Sequence, residues 1–160
     1  MSVSLAREEK IIQKLKEQFP NEIKGSRIIR SSRPEITVSS EKILEIATFL
    51  RDHLGFDHPN GVSGVDYNRE SRFEIVYHAS SLNNKEMRDL VLAVKESTPR
   101  NAPKVPSLVS VWPGVENFER ETFEMYAIPF EGHPRLEKLF LLDNWDGPPP
   151  LRKDVRVPTD

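Results

Sequence analysis

The spacing of apolar residues changes several times along this chain, and each change marks an element. Ile12, Leu15 and Phe19 fall at i, i+3 and i+7 in a Lys- and Glu-rich background. That spacing predicts an amphipathic helix over residues 4–19, ended by Pro20, with Glu8, Glu9, Lys10, Lys14 and Lys16 on its solvated face. Residues 23–30 and 35–39 read as short strands around Ser31-Ser32-Arg33-Pro34, a hairpin. Ile43, Ile46, Ala47, Leu50 and Leu54 then form one helical stripe, with Ser39 or Ser40 as its cap and Gly55 placed to turn left-handed after it. Alternation returns over 61–67, 72–80 and 87–95, where Phe73, Ile75 and Tyr77, then Leu90, Leu92 and Val94, each share a face. This is a meander with one side buried. Residues 97–106, with three prolines, read as a surface thread before Ser107 opens a short helix toward Trp112.

Helix, two strands, helix, three strands and a final helix predict an α+β fold. It has two layers and a mixed, mostly antiparallel sheet. One domain over residues 1–147 and a Pro-rich extended docking tail over 148–160 account for the 160 residues.

Composition removes several functions. With no cysteine, the chain has no thiolate nucleophile, no disulfide and no cysteine ligand for an iron-sulfur cluster. A formal net charge of -2 is the wrong sign for a nucleic-acid surface. No apolar run approaches the ~20 residues that span a bilayer, and Met1-Ser2-Val3-Ser4 leads into Arg7-Glu8-Glu9-Lys10 and not into a signal core.

The stretch from Trp112 to Asp154 is dense in Pro, Gly, Trp and paired charges, poor choices for an ordinary core. Val115, Phe118, Thr122 and Met125 predict one stripe of a helix. Arg120, four residues from both Glu116 and Glu124, is placed to ladder between them. Glu119 and Glu121, at i and i+2, project about 200° apart and make no acid-base dyad. His133, in Gly132-His133-Pro134, has no partner at metal-ligand spacing and reads as bonded to the backbone of its own turn. Asp66 and Tyr67 read as a strand terminus, His78 as a satisfied sheet residue, and Pro148-Pro149-Pro150 as a polyproline strap.

Glu119-Arg120-Glu121-Thr122-Phe123-Glu124-Met125-Tyr126-Ala127-Ile128, then Phe130-Glu131-Gly132-His133-Pro134, then Trp145-Asp146-Gly147 before Leu151-Arg152-Lys153-Asp154, resembles the C subunit of respiratory complex I, the NADH:quinone oxidoreductase. The same family includes subunits of deazaflavin-dependent dehydrogenases and membrane-bound hydrogenases. The resemblance spans residues 62–154. Three departures stand out: Glu124 where the family usually has Asp, Ala127 where it has Gly, and Gly147-Pro148-Pro149-Pro150 for a shorter Gly-His-Pro.

The resemblance implies a subunit with no catalytic, cofactor or metal residues of its own. Iron-sulfur clusters, flavin and quinone would belong to partner subunits, and the complex would hold the chain at the cytoplasmic face of the cell membrane. It further implies docking on a large hydrogenase-like, quinone-site subunit and on iron-sulfur subunits. The residues implied for that interface are Glu119, Arg120, Glu121, Glu124, Tyr126, Phe130, Gly132, His133, Pro134, Trp145, Leu151, Arg152, Lys153 and Asp154. Two alternatives stand beside it: the same scaffold role in a deazaflavin-linked or hydrogenase complex, and an autonomous enzyme using His133 with Glu131 or Glu124.

Overall fold

A computed structural model describes residues 5–156, among which three α-helices and seven strands are found, with short 3-10 turns between some of them. They are α1 (Ala6–Gln18), β1 (Ile23–Arg30), β2 (Arg33–Val38), α2 (Ile43–Leu54), β3 (His58–Tyr67), β4 (Arg72–Ser80), β5 (Leu92–Pro99), β6 (Val105–Pro106), α3 (Glu116–Tyr126) and β7 (Phe130–Glu131). Five strands form one sheet in the order β1-β2-β5-β4-β3, antiparallel except for the β2–β5 pair. The predicted α+β architecture and mixed sheet are therefore what the chain adopts. The first predicted helix position, Ser4, lies outside the described residues. None of the described helices is long and apolar enough to cross a membrane.

One face of the sheet carries Ile36, Val38, Phe73, Ile75, Tyr77, Leu92 and Val94, all buried against Leu15 of α1, the stripe of α2 and Val115 ahead of α3. Alternation along each strand sends these residues to one side, and the helices cover it. Gly55 ends α2 at φ 76°, the left-handed geometry its position predicts.

Several expectations need correction. Neither Ser39 nor Ser40 caps α2 with its side chain, since the Ser40 hydroxyl donates to the Ser97 carbonyl at 3.3 Å. Glu8 is not solvated: it is 1% exposed, and its Oε1 accepts the Ser32 N–H at 2.8 Å and a contact from Arg7 at 3.2 Å. The fifth strand begins at Leu92, not at 87, because residues 85–87 close a 3-10 turn capped by the Asn84 side chain. It also runs on to Pro99, paired along β4, so 97–99 is sheet and not a surface thread. Val105 is fully buried and pairs in parallel with Phe130. Ser107 opens no helix; the Val111 and Trp112 N–H groups both return to the Leu108 carbonyl, closing a single turn.

Candidate functional site

Helix α3 lies on β3, where Gly64 lets it approach: a Cβ there would stand 2.7 Å from the Tyr126 ring. The helix buries more than its predicted stripe. Val115 and Thr122 are buried, but so are Glu119, Arg120 and Glu124. Buried charge needs compensating hydrogen bonds, and each of the three obtains them from chain far away in sequence.

Glu119 points into the core. Its Oε1 accepts the Tyr77 hydroxyl at 2.9 Å and the Leu108 N–H at 2.8 Å, and its Oε2 accepts the Ser107 hydroxyl at 2.6 Å. Burial pushes its pKa up against the pull of these donors. Close by, Glu96 is fully buried, and neither of its carboxyl oxygens has a hydrogen-bond partner among the described residues. Burial above all, opposed by the Ser40 hydroxyl and helped by the Glu119 charge, pushes Glu96 up to about 8. Glu121, by contrast, is half-buried and points elsewhere, which agrees with the rejection of a Glu119–Glu121 dyad.

The predicted Glu116–Arg120–Glu124 ladder does not form. Arg120 donates to the Glu137 and Lys138 carbonyls at 3.1 and 2.8 Å and to the Asn117 side chain at 3.1 Å. Glu124 accepts the N–H groups of Leu139, Phe140 and Leu141 at 2.7 to 3.2 Å. Glu116 pairs with Arg135 at 3.3 Å. Backbone groups of 137–141, out of reach of any helix-spacing rule, compete for these side chains and win, because a neighbouring turn of the same helix offers only a solvated pair.

Lys138 completes the loop. Its ammonium donates to the carbonyls of Leu142, Asp143 and Trp145 at 3.0 to 3.3 Å. One carboxylate thus collects N–H groups, while a guanidinium and an ammonium collect carbonyls. The result holds Phe140, Leu142, Trp145 and Leu151 outward at 65%, 71%, 41% and 52% exposure. Phe140 and Leu142 were not among the predicted site residues; the only signal for them was an apolar run, Leu139 to Leu142, with no partner period.

After the prolines the chain folds back. The Arg152 N–H donates to the Pro149 carbonyl at 3.3 Å, so the strap closes in a turn and is not extended to its end. Ala127 takes the left-handed conformation at φ 54°, ending α3 and leaving its last carbonyls without helical partners. The Leu151 N–H reaches the Met125 carbonyl at 3.1 Å, and Arg152 Nε reaches the Tyr126 carbonyl at 2.7 Å. Asp66, buried at the end of β3, accepts the Lys153 N–H at 2.9 Å and both Nε and Nη2 of Arg100 at 3.0 and 3.2 Å. Burial resists ionisation of Asp66, but Arg100 and the Lys153 N–H outweigh it and hold its pKa low. Arg100 also binds Asp154 at 2.6 Å.

The remaining predicted residues sit along the same edge. Phe130 is buried in β7, Tyr126 is half-buried against Gly64 and Phe73, and Gly132 turns at φ 80° with Pro134 exposed beyond it. His133 Nδ1 accepts the Arg135 N–H at 3.0 Å, within its own turn as read from the sequence. That leaves Nε2 to carry the hydrogen and donate to the Glu116 carbonyl at 3.0 Å. Glu131 pairs with Lys104 at 2.7 Å. Both ring nitrogens of His133 and the carboxylates of Glu131 and Glu124 therefore each have a partner.

A polar-anchored apolar loop thus stands exposed on a small α+β domain. Residues 36–160 match the family model of the respiratory-chain NADH dehydrogenase 30 Kd subunit, and the chain belongs to that family, the C subunits of complex I. A relative from Roseiflexus sp. (strain RS-1), an NADH-quinone oxidoreductase C subunit, is 42% identical over 148 residues, covering 91% of this chain and 82% of its own. The F(420)H(2) dehydrogenase C subunit of Methanosarcina mazei is 40% identical over 144 residues, covering 90% and 89%. Among solved structures, a chain of the membrane-bound sulfane sulfur reductase, an archaeal respiratory membrane complex, superposes with a TM-score of 0.81 at 24% identity, over 94% of this chain and 86% of that one. The trypsin-resistant fragment (1-134) of Nqo5 gives 0.67 at 23%, over 80% and 98%. These two likenesses speak for the fold.

Proposed function

We propose that this chain is a cofactor-free, non-catalytic subunit of the peripheral arm of a complex I-like NADH:quinone oxidoreductase. It docks on the large hydrogenase-like subunit that holds the quinone site, beside iron-sulfur subunits, and so supports electron transfer to quinone coupled to ion pumping. Clusters, flavin and quinone belong to those partners, and the complex holds the chain at the cytoplasmic face of the membrane. The observation that carries this reading is the loop from Lys138 to Leu151, whose backbone is bound by Glu124, Arg120 and Lys138 while Phe140, Leu142, Trp145 and Leu151 face outward. Large apolar side chains held rigidly at a surface suit an interface, since little freedom is left to lose on docking. Arg120 and Glu124 hold this face from within, and the exposed Trp145, Leu151, Lys153 and Pro134 belong to its surface.

Purification of the tagged chain from gently solubilised native membranes tests this. A hydrogenase-like large subunit and iron-sulfur proteins accompany the wild type, and the double variant Phe140→Ser/Leu142→Ser loses them while keeping its circular dichroism spectrum. Retention of all partners by a folded double variant refutes the docking face. The input proteins recovered identify the electron donor, separating an NADH-linked complex from a deazaflavin-linked one.

A further inference from the structure

A cavity of about 460 Å³ opens beside the C-terminal end of α3, with Asn68, Ser71, Arg100, Asn101 and Arg152 among its lining. No carboxylate is among the described residues that line it. The guanidinium carbons of Arg100 and Arg152 stand 5.5 and 5.1 Å from the centre of the same Phe73 ring. Arg152 is fixed by this ring, by its Nε bond to the Tyr126 carbonyl, and by the turn to Pro149. Its Nη1 and Nη2 have no partner among the described residues, and the side chains of Asn68, Ser71 and Asn101 make no hydrogen bond there either.

Of the two guanidinium groups that line the cavity, Arg100 is already paired with Asp66 and Asp154, whereas Arg152 has no ion-pair partner among the described residues. Asp154 accepts its hydrogen bond from Arg100, and the nearby charge of Arg152 adds to that bond in holding the Asp154 pKa down.

Resting on the docking reading above, we propose that Arg152 receives one carboxylate here, the side chain of an Asp or Glu on the docked protein. A planar fork with both outer nitrogens free matches a carboxylate through two parallel hydrogen bonds, and the flanking amides and hydroxyl supply further donors. The one guanidinium left without an ion pair offers a single fork, which suits one carboxylate. Continuity fixes the source, because Arg152 directly follows Leu151, an exposed member of the apolar face. The fork is set before the partner arrives, so docking aligns it at once with the apolar contacts.

The test uses the intact complex carrying the tagged chain, with the fraction of chain retained after gel filtration followed as NaCl is raised. Arg152→Gln lowers retention at least tenfold and flattens its salt dependence. Arg152→Lys, which keeps charge but not the fork, falls between that and wild type. Arg152→Glu is rescued by exchanging one Asp or Glu of the docked protein for Lys. Wild-type retention and salt dependence in Arg152→Gln overturns the proposal; if that variant is unfolded by circular dichroism, Arg152→Lys at wild-type retention does so. If acetate or inorganic phosphate at constant ionic strength moves the Arg152 guanidinium NMR signal of the purified full chain while the variants keep wild-type retention, the cavity holds a free anion and the proposal fails. Phe140→Ser/Leu142→Ser separates the two readings: if it releases the chain and the Arg152 variants do not, only the carboxylate proposal falls.

Discussion

Glu124 is almost wholly buried and Phe140 is largely exposed, yet both carboxylate oxygens of Glu124 accept the Phe140 N–H, at 3.2 and 3.0 Å. A buried charge is thus placed where it fixes the backbone beneath a surface side chain. Replacing Glu124 by Gln keeps the shape but weakens bonds to three N–H groups. The expected cost is about 1–3 kcal/mol, with faster amide exchange confined to residues 139–141. Thermal unfolding and hydrogen exchange measure the two parts, and unchanged exchange at 139–141 contradicts the role given to Glu124.

Ala127 is strained by its left-handed backbone, since its Cβ crowds the carbonyl that glycine would leave free. Ala127→Gly is expected to stabilise the chain by about 0.5–1 kcal/mol, the relief of strain exceeding the added freedom of the unfolded chain. Urea unfolding gives the sign directly. A loss of stability would mean that the strain is relieved elsewhere.

Gly64 faces the Tyr126 ring, which a Cβ would meet at 2.7 Å. Gly64→Ala must therefore push α3 from β3, at an expected cost of about 1–3 kcal/mol. Combining it with Tyr126→Leu should return part of that loss. Denaturant midpoints for the single and double variants form the cycle, and strict additivity would exclude the clash.

Glu96 predicts a pH dependence. In the unfolded chain it ionises near its ordinary value of 4.5, whereas in the folded chain it holds its proton up to about 8. The folded state therefore binds the extra proton between those values, and stability falls as pH rises from 4.5 to 8 before levelling. Asp66, whose pKa is lowered, acts oppositely and only at lower pH. Glu119, whose pKa burial also raises, contributes a loss in the same direction, so Glu96→Gln removes only the Glu96 part of the loss, gaining on the wild type by a few kcal/mol toward pH 8, since each pKa unit is worth about 1.4 kcal/mol. Chemical unfolding of both proteins at pH 5 and pH 8 reads the difference.

The elements that a repeating local period specifies were legible in the sequence. The stripe of α2 and its Gly55 end, the β1–β2 hairpin and the alternation of β4 each follow from neighbours two, three or four residues apart. Residues whose environment is made by distant chain were not. Glu8, Arg120 and Glu124 carry a solvated signature but are buried because Ser32, Glu137, Lys138 and residues 139–141 bring backbone partners to them. Leu90 keeps the alternation of Leu92 and Val94 and is fully buried, but the capped turn at Asn84 delays pairing until Leu92. The motif from Glu119 to Asp154 identified the family correctly, while the roles of its charges became readable only with the fold.

The Lys138–Leu151 loop starts on the side chains of α3 and returns to that helix's last carbonyls, so both its ends share one foundation. Mechanically it is a handle and not a tether. A load applied at Phe140 or Trp145 passes into α3 and, through Tyr126 against Gly64, into the sheet as a whole. An assembly that grips this handle fixes the orientation of the entire subunit.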